Sequence, residues 1–357
     1  MKKILAFILP LLVAFGFAGC RGATTTLLSD PETLVLAFVP EDADDAAVSS
    51  GMNLLEAMIE QRLTLTGYPI DVSVMMSYDE AAIVAGMESG SIHVGILSAE
   101  SYAIATIAHP AAVDVVLASA YAANEAQVDG VRVVTDPDAV MAAVNASGYR
   151  GSTRADIRIG TLHAMLLVRS ADEDAFRSEG MSWLAGKNVA VQSSTSRYGF
   201  IEPQFMLSRH DLSFVANSQN PNAEAGEVGY TTVTGHANAI IALMDGTVDA
   251  CFTYLDARTD DADFSLWQAM HPTLDRFAET KAVALSEGIY ATAVTVTNTL
   301  SVGLRNALRQ AFLAISYDPD GVAALAFLSD RGYVVVHDAD FDGERALYRF
   351  RHPELPY

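Results

Sequence analysis

A run of hydroxyl side chains is the part of the sequence best suited to chemistry. Residues 193–196 (Ser-Ser-Thr-Ser, here the hydroxyl loop) follow the apolar stretch Asn188–Val191 and precede a segment of helical spacing near 200–208. Backbone N–H groups at the start of a helix lack intrahelical partners and attract an anion. Hydroxyls beside them add neutral donors around a tetrahedral oxyanion. The pattern predicts an oxyanion-binding loop, although N-capping alone needs only one of these hydroxyls.

Two residues that follow this loop leave alternatives open. Arg197 could pair with a phosphate through two parallel N–H donors, or it could be an ordinary exposed arginine. Pro203 either lies in the first turn of the helix or kinks the helix. The residue types fit both alternatives in each case.

The same residue types occur in hydrolase triads, with Ser194, His236 and Asp256 as nucleophile, base and acid. The sequence contains no Gly-x-Ser-x-Gly nucleophile elbow, however, and an oxyanion cradle uses these residue types without any reaction. None of the eight histidines lies at metal-ligand spacing from another. We therefore predict a binding protein that is not an enzyme and has no metal site and no cofactor.

The N-terminus carries the pattern of an export signal. A short positively charged start precedes an apolar run that is too short to span a membrane as a helix. The run ends in Phe-Ala-Gly-Cys at 17–20, which resembles a bacterial lipobox. We predict a signal peptide over 1–19, a lipid on Cys20 and a tether over 20–32, which places the protein on the outer face of the cytoplasmic membrane or in the periplasm. The alternative is an ordinary secretory signal with a coincidental cysteine.

Composition bounds the class of protein. The chain has 357 residues, 51% of them hydrophobic and 18% charged, enough to bury cores in two lobes of about 150 residues each. Its net charge of -22 excludes nucleic acid as a partner, because nucleic-acid binding needs a basic surface. With Cys20 lipidated, Cys251 stands alone and no intramolecular disulfide forms.

Apolar segments alternate with segments of helical spacing, which is the pattern of a parallel α/β sheet. Predicted strands lie at 34–40, 70–74, 93–97, 115–121, 164–168, 188–191, 248–252 and 289–296. Predicted helices lie at 54–63, 78–87, 137–144, 200–208, 237–244 and 304–315. Two α/β lobes behind an export signal suggest an extracellular solute receptor, by analogy of fold alone.

Several sequence elements resemble those of the phosphate/phosphite/phosphonate-binding proteins of ABC transporters. The hydroxyl loop, with Gly199 and Pro203 after it, is similar to their Ser-Thr-Ser-Gly…Pro element. The other similar elements are Leu-Ala-Gly-Lys and its strand at 184–190, the strand 165–169, the run Gly-His…Gly-Thr-Val-Asp-Ala over 235–250, Ser-Tyr-Asp at 77–79 and Tyr-Asp-Pro-Asp-Gly at 317–321. The likeness runs over about 34–342, with a gap at 124–160.

The resemblance implies a type II periplasmic-binding fold. This is an α/β architecture of two lobes, each a mostly parallel sheet flanked by helices, joined by two crossing strands. It assigns 33–120 and 287–357 to lobe 1 and 121–286 to lobe 2, with an irregular insertion at about 124–160. The protein would be a monomer that closes around a small phosphorus-containing oxyanion and delivers it to a membrane permease driven by an ATPase.

Matched position by position, the implied ligand-binding residues are Ser194, Thr195, Ser196, His236, Tyr78, Asp256 and His163. The hydroxyl loop would hold the oxygens of a phosphonate, phosphite or phosphate, with His236 as a further donor. Tyr78 would reach in from lobe 1. Asp256 would meet the amine of an aminoalkylphosphonate, or would be an acid in a solvated turn. His163 stands where a tyrosine is common.

The chain departs from the family pattern at places that bear on the ligand. Arg197 and Tyr198 are inserted between Ser-Thr-Ser and Gly. A second acid of aminoalkylphosphonate binders is missing near Ala291 or Thr292, and Ile96-Leu97 replaces an aromatic residue. The phosphoryl pocket is therefore better supported than the organic part of the ligand.

Two other functions remain open. The negative net charge repels an anion at long range, but salt screens that field within about 8–10 Å. A larger phosphorylated cation, such as a thiamine-phosphate-like compound, would suit the acidic balance better. The protein could instead be a ligand-sensing lipoprotein for a membrane-bound signalling partner, which a neighbouring permease and ATPase in the genome would argue against.

Overall fold

The computed structural model describes residues 30–40, 45–216, 220–328 and 331–355. The strands are β1 (Thr33–Phe38), β2 (Asp71–Met76), β3 (Val94–Ser98), β4 (Val113–Ser119), β5 (Tyr121–Asn124), β6 (Val128–Asp129), β7 (Arg132–Val133), β8 (Thr153–Ile159), β9 (Ala164–Arg169), β10 (Asn188–Val191), β11 (Ser213–Ala216), β12 (Glu227–Thr232), β13 (Ala250–Tyr254), β14 (Thr280–Leu285), β15 (Thr292–Thr297) and β16 (Tyr333–Val335). The helices are α1 (Asp45–Leu65), α2 (Glu80–Ser89), α3 (Ala99–Ala108), α4 (Pro137–Val144), α5 (Glu173–Glu179), α6 (Glu202–Ser208), α7 (His236–Met244), α8 (Asp261–Met270), α9 (Arg276–Glu279), α10 (Val302–Tyr317), α11 (Pro319–Leu325) and α12 (Asp342–Arg351). The predicted signal peptide over 1–19, the lipidated Cys20 and most of the tether lie outside the described residues.

Two six-stranded sheets form the two lobes. The first has the order β16-β4-β15-β3-β1-β2 and the second the order β11-β12-β10-β13-β9-β14. Strands separated by a helix pair in parallel, as β1 does with β2 and β3. The strands next to the lobe connections pair antiparallel, as β15 does with β3 and β9 with β13. The predicted two-lobed α/β fold is confirmed, but the sheets are mixed, because β15 and β9 enter their sheets from the connections and run against their neighbours.

Apolar residues at helical spacing fix the helices onto these sheets. Leu304, Leu308, Phe312 and Ile315 of α10 share one helix face and have no exposed area. They belong to the same core as the apolar residues of β1 and α1, and burial of each contributes about 1.5–3 kcal/mol. Among the described residues no single helix is long and apolar enough to cross a membrane, and only Val302–Tyr317 taken with Pro319–Leu328, bent by 106°, meets those requirements.

The stretch 124–160, irregular in sequence, extends lobe 2 at the edge of its sheet. It consists of the β5–β8 pair, the β6–β7 hairpin and α4, and α4 packs on the edge strand β14. Asn145 mimics a neighbouring strand: its Nδ2 donates to Ala282 O at 2.7 Å and its Oδ1 accepts from Ala282 N–H at 2.9 Å. The segment thereby covers an edge that would otherwise expose unpaired backbone groups.

Two chain segments cross between the lobes side by side. Leu162 and Ile289 exchange backbone hydrogen bonds of 3.1 and 2.8 Å, and the Ala164 N–H donates to Ser286 Oγ at 2.9 Å. These contacts join the segment before β9 to the segment after β14. The predicted boundary at 286/287 lies at the second of these segments, whereas 120/121 lies directly after β4, ahead of the stretch 124–160. Both boundaries stay predictions.

Candidate functional site

The hydroxyl loop lies at the carboxyl end of β10, which β12 and β13 flank in parallel. The loops that follow these three strands meet at one sheet edge, the usual place for ligands in such sheets. Gln192 Nε2 donates to Gly235 O at 3.3 Å, and the Val233 N–H donates to Val191 O at 2.9 Å. These contacts make the turn before His236 a direct neighbour of the hydroxyl loop.

The hydroxyls of this loop divide into capping and exposed groups. Ser196 Oγ accepts from the Gly199 N–H at 3.2 Å and so caps the π-helical turn Arg197–Ile201. Ser194 and Thr195 are exposed. A hydroxyl that accepts from the backbone keeps its own proton for donation, so capping by Ser196 is compatible with oxyanion binding. The loop is therefore compatible with both interpretations of the sequence, N-capping and oxyanion binding.

Gly199 and Pro203 shape the exit from the loop. A Cβ on Gly199 would lie 2.2 Å from Gln192 Cγ, so only glycine permits this approach. The Gln192 N–H also donates to Gly199 O at 3.1 Å. The π-helical turn continues into α6, which begins at Glu202 with Pro203 in its first turn, a position that proline favours.

His236 begins α7, and its ring lies against β13. Its Nδ1 is 3.0 Å from Thr253 Oγ1, and its ring packs edge-on against Tyr254 with 4.8 Å between centroids. Burial lowers the pKa of His236 below the ordinary 6.5, so the ring is neutral at pH 7. If the Thr253 hydroxyl is the donor in this contact, the ring proton is on Nε2. The imidazole then adds a neutral donor beside the hydroxyl loop.

Tyr78 lies on lobe 1, in the turn between β2 and α2. Its side chain is fully exposed (102%), so it contacts neither the hydroxyl loop nor His236. The Asp79 side chain caps α2 by accepting from the Ala82 N–H at 2.7 Å, and the Ser77 N–H donates to Phe38 O at 2.8 Å. These hydrogen bonds hold the turn that carries Tyr78.

The start of α3 in lobe 1 is occupied by a carboxylate of the protein itself. Glu80 accepts from the Ser98 N–H at 2.6 Å and from Ser98 Oγ at 2.7 Å. A helix start that already holds an anion is a poor place for a second one. The exposed hydroxyls of lobe 2 have no such carboxylate against them among the described contacts.

Asp256 is buried in an ion pair with Arg258. Its Oδ1 accepts from Nε at 2.9 Å and its Oδ2 from Nη2 at 3.1 Å, and neither side chain is exposed. Arg258 also donates to Val144 O at 3.0 Å, which ties the end of α4 to the lobe 2 core. The solvated-turn alternative is wrong, because the carboxylate has no contact with solvent. Contact with a ligand amine would require this pair to open.

His163 lies in the segment that crosses to β9 and is 6% exposed. Its Nδ1 is 2.9 Å from Ser286 O on the second crossing segment, and burial lowers its pKa. It lines a cavity of about 480 Å³ together with residues of both crossing segments and β16. None of the hydroxyl-loop residues lines this cavity, so the structure places His163 apart from the group formed by the loop and His236.

Arg197 matches neither of the two alternatives predicted from the sequence, an arginine that pairs with a phosphate or an ordinary exposed arginine. Its guanidinium pairs with Glu202 at 2.7 Å and with Glu344 at 2.6 Å. It is therefore neither a solvated arginine nor an arginine with its charge left over for a phosphate. No group of three or more His, Cys, Asp or Glu side chains suited to a metal ion occurs in the parts of the chain that the structure describes.

Comparison with protein families decides the class. Residues 37–341 match the family described as ABC transporter, phosphonate, periplasmic substrate-binding protein. The chain belongs to this family. Members of the phosphonate-binding family are substrate-binding components of transporters and not enzymes, and they act outside the cytoplasm. The predicted family, the non-enzymatic role and the extracytoplasmic location are thereby confirmed.

Several solved structures are similar to this phosphonate-family chain at low identity. The Mycoplasma hyorhinis protein Mh-p37, described as a candidate thiamine pyrophosphate transporter, is 10% identical with a TM-score of 0.52, over 90% of this chain and 99% of that chain. Transferrin 1 from Manduca sexta is 10% identical with a TM-score of 0.51, over 88% of this chain and 46% of that chain. PhnD1 from Prochlorococcus marinus, in complex with methylphosphonate, is 11% identical with a TM-score of 0.40, over 90% and 99%. No curated protein matches the chain.

Three residues that lie beside the predicted site were not among the residues predicted from the sequence. Gln192 directly precedes the hydroxyl loop and joins it to Gly235. Thr253 and Tyr254 contact the His236 ring from β13. The strand predicted at 248–252 ends just before them, so a strand two residues longer would have placed both at the sheet edge.

Proposed function

We propose that this protein captures a phosphonate-, phosphite- or phosphate-type oxyanion in the cleft between its lobes and delivers it to an ABC permease. The observation that carries the proposal is the exposed pair Ser194 and Thr195 beside the neutral ring of His236. Several neutral donors that converge at one sheet edge suit an oxyanion, which only accepts hydrogen bonds. Closure would bring Tyr78 of lobe 1 onto the bound ligand.

The charges around the site support a small ligand without a cationic group. Asp256 is the one acid among the predicted ligand residues, and Arg258 neutralises it. A larger phosphorylated cation is the alternative ligand, and it would need an acid of the protein that is free to meet its positive charge. We therefore favour an alkylphosphonate, phosphite or phosphate.

A panel of ligands tests this proposal by thermal unfolding. The panel contains methylphosphonate, phosphite, phosphate, 2-aminoethylphosphonate and thiamine phosphate. A ligand that binds only the folded protein stabilises it by about 2.7 kcal/mol at 100 times its dissociation constant. We expect the midpoint to rise with one of the first three compounds. A rise with thiamine phosphate alone would favour the larger cation, and no rise with any compound would contradict an oxyanion site.

We also propose that the protein is a monomer held to the membrane by a lipid on Cys20. The pattern of small residues before this cysteine, at the end of the apolar run, supports lipidation. Metabolic labelling with a radioactive fatty acid in a bacterial host tests it. Label on the parent chain that disappears with Cys20→Ser is the expected result, and equal label on both chains, or none on either, would contradict it.

A further inference from the structure

One of the two residues inserted after the hydroxyl loop connects it to lobe 1. Arg197 directly follows Ser196, and its Nη2 donates to Glu344 Oε2 at 2.6 Å. Glu344 belongs to α12 of lobe 1. The same guanidinium donates through Nε to Glu202 Oε1 at 2.9 Å, within lobe 2. One arginine thus joins the end of the loop to both lobes.

These three charged groups are largely removed from solvent. The side chains of Glu344 and Glu202 are 3% and 8% exposed, and that of Arg197 is 23% exposed. Attraction between opposite charges is stronger at such a place than at the surface, and a buried carboxylate without its partner is costly. The Arg197–Glu344 contact therefore resists separation of the segments that carry it.

A further contact between the lobes lies next to this pair. The rings of Phe205 on α6 and Phe350 on α12 are 5.4 Å apart. Glu202 and Glu344 line one small crevice with Gly288 of the second crossing segment. The pair thus lies beside the second segment that connects the lobes.

We propose that Arg197 is a positioning residue that fastens the hydroxyl loop to α12 of lobe 1, so that the angle between the lobes sets the position of the loop. When the lobes close, the exposed hydroxyls of Ser194 and Thr195 then move together with the segment that connects the lobes. This coupling does not depend on which ligand binds.

Two matched variants, Glu344→Ala and Glu202→Ala, test the proposal. Each removes one carboxylate from Arg197 and leaves the other, but only Glu344 is on the opposite lobe. Spin labels on Ser89→Cys and Ser178→Cys in a Cys20→Ser chain report the distance between lobes, because both serines are exposed and the native Cys251 is fully buried. Hydrogen–deuterium exchange reports the loop. Neither readout requires a ligand.

We expect Glu344→Ala to broaden the interlobe distance distribution and to speed amide exchange over 193–201 by about fivefold or more, the lower range of coupling between linked sites. Glu202→Ala should leave the distance distribution as in the parent. Unchanged distances and exchange in Glu344→Ala, or the same broadening in both variants, would overturn the proposal.

The double variant Arg197→Glu/Glu344→Arg, which exchanges the two charges, distinguishes loss of the interlobe ion pair from a general loss of packing. If Arg197 acts through the interlobe pair, the exchange restores the narrow distance distribution, which a general loss of packing would not permit. If Glu344→Ala fails to fold, Glu344→Gln keeps the shape of the side chain, and the same two outcomes apply to it.

Discussion

Asp256 and Arg258, which are two residues apart in the chain, form an ion pair in which neither side chain is exposed to solvent. Arg258 neutralises Asp256, which is the one acid among the predicted ligand residues. Arg258 also donates to Val144 O and so ties α4 to the lobe 2 core. The site that remains at the sheet edge is a set of uncharged donors. The proposed oxyanion site would need such uncharged donors in a chain of net charge -22.

Removal of the Arg258 cation should strongly destabilise lobe 2. Arg258→Met leaves the Asp256 carboxylate buried and unpaired, and we expect a loss of about 3–5 kcal/mol in the free energy of unfolding, measured with denaturant. Arg154→Met is the matched control, because Arg154 makes the same two-oxygen contact with Asp156, also two residues away, at the surface. The control should hardly change stability. Equal losses in both variants would contradict the account of the buried pair.

The same pair predicts how the protein treats an amine on its ligand. With the Asp256 carboxylate held by Arg258, we expect methylphosphonate and 2-aminoethylphosphonate to bind with similar affinity in calorimetry. A carboxylate free to meet the amine would add about 1.5–3 kcal/mol, or roughly ten- to a hundredfold in affinity. A preference of that size for the amino compound would show that the pair opens.

Gly199→Ala should disturb the hydroxyl loop from behind. The new Cβ would lie 2.2 Å from Gln192 Cγ and 2.7 Å from Gln192 Cβ, so the Gln192 bond to Gly235 must shift. Overpacking of this kind costs about 1–3 kcal/mol, and we expect a lower unfolding midpoint together with weaker ligand binding. A variant with the parent's midpoint and affinity would show that the approach of the two residues is not tight.

The pH dependence of stability should carry the signature of Glu344. Burial raises the pKa of both Glu202 and Glu344 above the ordinary 4.5, against the opposing effect of Arg197. An acid whose pKa is raised by folding weakens the folded state above that pKa, and the penalty is relieved as the pH falls towards 4.5. From neutral pH towards 4.5, the parent should therefore gain more unfolding free energy than Glu344→Gln, measured with denaturant at each pH. Parallel curves would contradict this.

Much of the site edge could be predicted because it depends on local sequence. β10, the hydroxyl loop and the start of α7 follow from an apolar run, a hydroxyl run and a Gly-His turn. The parallel neighbour β12, which leads into α7, was not among the predicted strands. The partners of Arg197 and Asp256 could not be predicted, since they depend on burial. Glu344 is 147 residues from Arg197. It lies on α12, whose sequence contains so many charged residues that it does not indicate which face is buried. Only packing shows that these charges are paired inside the protein.

The most direct test of the oxyanion site is calorimetry of the Ser194→Ala/Thr195→Ala variant, with the phosphorus oxyanion that gives the largest thermal shift on the parent chain. Both hydroxyls are exposed, so the fold should survive, and Ser178→Ala, an exposed serine on α5, is the matched control. Hydrogen bonds to a charged group are worth about 1.5–3 kcal/mol each, so we predict a loss of roughly a hundredfold or more in affinity. The control should bind as the parent does. Full affinity in the double variant would contradict the assignment of this loop to the ligand.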